Sequence, residues 1–485
     1  MDDQGAVLRW PAGNAPGSWC ASHSRPERLV PEPAALELTG KLSHARIWSL
    51  TWPVIFANVT TPLVGIADVW VMGRMPDPAY IGAVAVGAAI FSALYWLFIF
   101  LRMGTTGLVS QAFGSQRGKD AEAADAVVAI AARAMLIALA LGTVIVLLQW
   151  PLGLGMFSLF QASEAVENLA GSYFSLRIYG VPGFLIHLVN LGVLFGLQQM
   201  RATMYLNLAL SVTNLVLDVY FVLGLGLGVN GVALGTVLAE WGAALLGFYL
   251  VGRALTRMGW RRRRPANVTD RQALVRLFDI SGNLILRTFF VNLPFFVNSL
   301  VAASMGDVLL AVNAVLMQLF FIAIYGIDGF AYTAETLTGY AYGARQPAQL
   351  RRATVLTLFW GFVVAGAMAL AYLLFGQVLV GGLSTAVEVR ETAGDYLIWV
   401  VLIPFACVGA FLFDGVFIGT THIREMRNAM AASALVWGIV LYVCLPIWGY
   451  HAVWIAMIAF MAARSFLLWG YYGRIEAGAA GANPA

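Results

Sequence analysis

Apolar residues in this chain come in long unbroken runs, from Ile47 to about Gly470, with polar positions confined mainly to the short intervals between them. Most runs exceed the roughly 20 residues that a helix needs to cross hydrocarbon. Read against turn signals, they predict twelve helices near 47–73, 82–110, 122–150, 168–198, 204–226, 230–252, 276–303, 309–343, 350–381, 393–420, 428–448 and 452–473. No segment reads as a strand. The expected fold class is therefore an all-α integral membrane protein.

The intervals carry a second pattern. Lys and Arg gather after every even-numbered span: Arg117 with Lys119; Arg201; Arg257 with Arg261 to Arg264; Arg345, Arg351 and Arg352; and Arg424 with Arg427. The other intervals offer only Arg74 and Arg390. Cytoplasmic loops are the basic ones in membrane proteins, so both termini are expected in the cytoplasm, with the chain in the inner (plasma) membrane. An extra or missing helix in mid-chain would scramble this alternation. The Arg261 to Arg264 run reads first as a topology determinant, with contact to acidic lipid as the alternative.

That basic linker also divides a repeat. Gln111-Ala-Phe-Gly114 returns as Tyr340-Ala-Tyr-Gly343, and Ala85-Val86 returns at the same spacing as Ala314-Val315. Gly196 and Arg201 return as Gly419 and Arg424, at a second and slightly shorter spacing common to both. Six helices per half is an even number, so the halves point the same way, related by an axis along the membrane normal with a cavity between them. The expected organisation is a disordered polar arm at 1–42, six-helix lobes at 43–253 and 276–474 joined by a basic cytoplasmic linker at 254–275, and a disordered tail at 475–485.

Composition agrees and narrows the function classes. The chain is 60% hydrophobic and 11% charged, with mean hydropathy +0.79, against about 25% charged residues in soluble domains. Its net charge of +4 sits in loops, which argues against a nucleic-acid partner. Cys20, Cys407 and Cys444 are too scattered for a disulfide framework or a metal cluster and read as packing residues. No glycine-rich nucleotide motif and no Asp-x-x-x-Asp metal motif appears, so neither enzyme activity nor a cofactor is expected.

Ionisable side chains inside a membrane cost about 2.5–3.5 kcal/mol each on insertion scales, so those that remain call for a partner or a function. Estimated depth brings Asp68 of the first span, the i,i+4 pair Asn214 and Asp218 of the fifth, and Thr236 of the sixth to one level. Two carboxylates in a partly dehydrated pocket raise each other's proton affinity, so the pair could carry protons; simple hydrogen bonding between helices is the alternative. In the second half, Arg287 and Asp328 share a level and could pair, while Glu335 and Asp414 lie deeper, as ion-paired braces or as a transport group. Arg102, Arg133, Arg177 and Arg464 read as snorkelling or bracing residues, and His187 and His451 as hydrogen-bonded core or edge residues. Pro53 is a candidate hinge in the helix that carries Asp68.

From Ser43 to Arg474 these residues resemble the multidrug and toxic compound extrusion (MATE) transporters of the DinF-like subfamily. The resemblance rests on Pro53 followed by Gly65-Ile-Ala-Asp68, on Asn214-Leu-Val-Leu-Asp218, on Gly231-Val-Ala-Leu-Gly-Thr236, on Asp328-Gly-Phe-Ala-Tyr-Thr-Ala-Glu335 with Gly339-Tyr-Ala-Tyr-Gly343, and on Asp414-Gly-Val-Phe-Ile-Gly419 before Glu425-Met-Arg-Asn428. It implies a V-shaped pair of six-helix lobes that work as a monomer by alternating access. Such a protein exports small organic, often cationic or amphipathic substrates in exchange for H⁺, with Na⁺ as the alternative coupling ion. It also implies site roles for Asp68, Asn214, Asp218 and Thr236, with Asn190 as a further member. Val64 stands where the family has a tyrosine one turn before the first-helix acid. A lipid-linked oligosaccharide flippase of the same superfamily is the alternative reading.

Overall fold

The computed structural model describes residues 42–75, 79–116, 118–157, 163–260, 268 and 270–481, apart from the side chains of 59–69. The expected arm at 1–42 thus lies, except for Leu42, outside the described residues. Every regular element among them is helical. The first half holds α1 (His44–Met72), α2 (Ala79–Phe98), α3 (Phe100–Ser115), α4 (Asp120–Leu147), α5 (Gln149–Phe157), α6 (Glu164–Arg177), α7 (Val181–Gly196), α8 (Met200–Asp218) and α9 (Gly228–Arg257). The second holds α10 (Arg271–Ser304), α11 (Asp307–Gly343), α12 (Pro347–Leu383), α13 (Val387–Gly419), α14 (Ile423–Trp448) and α15 (His451–Ala479).

Eleven segments of the described chain are long and apolar enough to cross a membrane, α2 with α3, α6 with α7, and α8 with the π-helical turn after it each forming one segment. Helix α1, with 29 residues, supplies the twelfth at a rise of about 1.5 Å per residue. The exterior fits that solvent: Trp150, Leu147, Tyr442 and Phe466 are more than two-thirds exposed, as side chains facing lipid tails would be. Helices α3, α7, α9, α11 and α13 all finish at the end of the bundle that holds Lys119, Arg201, Arg257, Arg345 and Arg424, called here the basic end.

Two domain limits differ from the sequence reading. Helix α9 continues to Arg257 and α10 starts at Arg271, where Asp270 caps it by accepting from the Gln272 amide at 3.1 Å, so the linker is shorter than 254–275. The expected tail at 475–485 is helical as far as Ala479. Leu468, Ile475 and Ala479 continue one buried face of α15, and that burial carries the helix onward.

The repeat is visible at atomic contacts. A Cβ on Gly114 would strike the Tyr340 carbonyl, and one on Gly343 would strike the Gln111 carbonyl. These are the same contact made twice, since Gly343 is the repeat mate of Gly114 and Tyr340 that of Gln111. Gly339 lies against Ser110, its own repeat mate, so the axis relating the halves passes between α3 and α11. In the second register, Gly192 and Gly415 press on the carbonyls of Arg102 and Ala331, and Gly196 and Gly419 on the amides of Ser110 and Gly339. Even the helix ends correspond: Gln198 and Thr421, mates in that register, both take left-handed backbone at φ 58° and 56°. Small residues let helices approach this closely in a membrane, where packing rather than water exclusion drives association.

Candidate functional site

Helix α8 is amphipathic in an inverted sense. Val212, Leu215, Val216 and Tyr220 point outward, while Asn214 and Asp218, one turn apart, are turned inward and fully buried. They face α9. Asn214 Nδ2 donates to Thr236 Oγ1 at 3.0 Å, and the Thr236 hydroxyl donates to the Val232 carbonyl at 2.8 Å. The Asp218 carboxylate lies against Gly235, so close that any side chain there would overlap Oδ1. Glycine at 235 thus makes the room in which the carboxylate sits.

Immediately after Asp218 the backbone widens into a π-helical turn, Val219–Gly224, a form that recurs at functional sites. Helix α1 packs along α8 and touches this turn. Asp68 belongs to the last part of α1, but its side chain lies outside the described residues. Helix α1 runs unbroken through Pro53, which is buried. Asn190 is not part of the cluster. It donates to the Ala244 carbonyl at 3.1 Å and packs on Gly247, which places it about 12 Å further along α9 than Thr236.

In the second half, Arg287 pairs with Asp414 rather than with Asp328. The depth reading sets Asp414 deeper than Arg287, but in the structure α13 puts Asp414 in reach of both Arg287 on α10 and Arg464 on α15, each guanidinium donating to Oδ2. All three side chains are buried. Glu335 on α11 instead accepts from Arg102 on α3 at 3.3 Å to each oxygen, an ion pair that joins the two halves next to their axis. Arg102 also lies over the Tyr332 ring, 4.5 Å from its centroid. Asp328 is half-buried and makes no ion pair or hydrogen bond among the described residues. Its charged neighbours are Arg102, Asp414, Arg464 and Arg287.

The sequence reading omits Glu240 on α9. Arg177 at the end of α6 grips it in a two-pronged pair at 2.7 and 2.8 Å, and the Tyr95 hydroxyl accepts from Arg177 at 2.7 Å while donating to Glu240 at 3.0 Å. A lone acid in the sixth span at the depth of a lone arginine in the fourth is the available signal. Removing either charge alone is expected to cost about 3–5 kcal/mol of stability, because the partner would be left buried and uncompensated. Arg177→Met with Glu240→Met should recover most of it. Thermal unfolding in detergent checks this, and single variants as stable as the parent would show that the pair is not a brace.

The family description MatE matches residues 53–220 and 284–444. The chain is 37% identical over 426 residues to the DNA damage-inducible protein F of Escherichia coli (strain K12), covering 88% of this chain and 91% of that protein. It is 24% identical over 435 residues to a probable multidrug resistance protein, NorM, of Pseudomonas putida, covering 87% and 89%. Its fold superposes with a TM-score of 0.78 on a solved outward-facing multidrug resistance MATE family transporter, 21% identical, covering 89% of this chain and 96% of that one.

Proposed function

Because the chain belongs to the MatE family of membrane transporters and is DinF-like within it, we propose that it is a secondary exporter of small organic, cationic or amphipathic compounds. Export is driven by an inward-moving cation, H⁺ first and Na⁺ as the alternative, while the two six-helix halves open alternately to either side. The basic loops face the cytoplasm, and a single copy suffices.

The observation that carries this reading is the polar cluster of Asn214, Asp218 and Thr236 at the α8–α9 contact. Glu240, Glu335 and Asp414 are each held by arginine. Between α8 and α9, Asp218 lies one turn after Asn214, in a space that Gly235 keeps open near the Asn214 to Thr236 hydrogen bond. A carboxylate of that kind can exchange a proton or a small cation for the positive charge of a substrate. The relatives named as multidrug resistance proteins support the substrate class. A flippase for lipid-linked oligosaccharide would need a cationic central cavity for its pyrophosphate, whereas the membrane-core arginines Arg102, Arg177 and Arg287 are each engaged by a carboxylate.

The test uses cells that express the full chain and are loaded with a fluorescent cationic dye. Efflux should stop when the proton gradient is collapsed and persist when only the sodium gradient is collapsed. Efflux unchanged by either treatment would overturn the proposed coupling.

A further inference from the structure

At the basic end, beside the contact between α3 and α11, the structure has a cavity of about 510 Å³. Its walls come from both halves: Arg133 on α4 from the first, Arg276 on α10 and Arg345 just after α11 from the second. Leu108, Ile130 and Leu277 supply apolar surface, and no carboxylate lines it among the described residues. The acids close by are already engaged, Asp279 with Arg424 at 3.0 Å and Glu476 with Arg351 at 3.9 Å. Arg133 donates through Nε to the Val268 carbonyl at 3.3 Å, which ties this level to the segment joining the halves. Arg276 and Arg345 are exposed, and their side chains make no ion pair or hydrogen bond among the described residues.

Three guanidinium groups around one cavity repel each other unless solvent or an anion compensates them. Arg276 and Arg345 each present a planar fork suited to the paired oxygens of a phosphate, and Arg133 adds a third positive charge beside them. The cavity lies at the ends of membrane-spanning helices, where phosphates of one leaflet would stand, and its apolar patch suits the glycerol and first methylenes of a lipid. The sequence adds four arginines, Arg261 to Arg264, shortly before α10.

We propose that this cavity binds the phosphate of an acidic phospholipid headgroup, held jointly by Arg133, Arg276 and Arg345. Because the arginines come from both halves, an occupied site favours the arrangement in which the basic end is closed, in proportion to the affinity lost when the halves part. The inference rests on the proposed transport reading only for placing the basic end in the cytoplasmic leaflet; the binding itself is measured without transport.

The experiment titrates the purified full-length protein with phosphatidylglycerol, phosphatidylcholine or inorganic phosphate, reading bound lipid by native mass spectrometry and stability by thermal shift. Phosphatidylglycerol should bind and stabilise, phosphatidylcholine should not, and each Arg→Gln change at 133, 276 or 345 should weaken phosphatidylglycerol roughly fivefold. Arg257→Gln, exposed on α9 and outside the cavity, should leave affinity unchanged. Equal affinity for phosphatidylcholine, or full phosphatidylglycerol affinity in the triple variant, overturns the proposal. A thermal shift from inorganic phosphate equal to that from phosphatidylglycerol would make this a site for soluble anions and overturn the lipid assignment. If the triple variant does not fold, Arg345→Gln alone decides, since no partner among the described residues is stranded by it. Loss of dye efflux alongside intact lipid binding would count against the transport reading and leave this one standing.

Discussion

Asp218→Asn protein, reconstituted in liposomes, is expected to fold like the parent yet pump a cationic dye about tenfold more slowly under an imposed proton gradient, a barrier change of about 1.4 kcal/mol or more. The amide keeps the shape that fits against Gly235 and beside Asn214, so packing changes little. What it loses is the exchangeable charge. Exchange of one proton for one monovalent cation moves no net charge, so the imposed pH difference drives it, at about 1.4 kcal/mol per pH unit. A difference of about one unit thus sustains a roughly tenfold substrate gradient, at about 1.4 kcal/mol per factor of ten. Asp68→Asn should behave in the same way, with substrate still bound but no longer exchanged for ions. If both variants pump at the parent rate, the assignment fails, and Asp328 becomes the candidate as the second-half carboxylate without a partner among the described residues.

Asp414→Ala is expected to have the largest effect on folding. It would strand two buried guanidinium groups, Arg287 and Arg464, in a membrane core, with no other carboxylate in contact with either among the described residues. Removing one member of a buried pair costs about 3–5 kcal/mol in soluble proteins, and here two partners are left. Little folded protein should survive extraction in detergent, as judged by size-exclusion profile and thermal unfolding. Replacing the whole set, with Arg287→Met, Asp414→Leu and Arg464→Met together, should restore most of the yield. A stable Asp414→Ala protein would mean that water reaches these arginines.

Much of this is legible in the sequence because it varies along one dimension. Apolar run length and loop charge vary along the chain, and they give the twelve crossings. The two repeat spacings are also readable, and they mark the glycines that meet neighbouring backbones. Depth is legible as well, which is why Asn214, Asp218 and Thr236 fall into one group and do lie together at the α8–α9 contact. Rotation about a helix axis is a second coordinate, and depth says nothing of it. Depth alone therefore matches Arg287 with Asp328 when α13 turns Asp414 toward it. Resemblance, which names positions and not contacts, adds Asn190 to a cluster that it does not touch. Interruptions within a crossing are a further feature: the second breaks at Ile99 and the fourth at Ile178–Gly180, beside Gly180 and Pro182, where apolar run length alone carries one helix straight through.

The paired glycine contacts at the basic end have a mechanical consequence. Gly114 against Tyr340 and Gly343 against Gln111 are rotational copies about one axis, so neither can loosen alone when one half turns against the other. The Arg102 to Glu335 pair lies about two turns further along the same two helices and would part in the same motion. Parting at this end is thus an all-or-none event, with strain from one contact passed at once to its twin. A side chain added at either glycine should therefore act as a wedge that shifts the whole opening equilibrium.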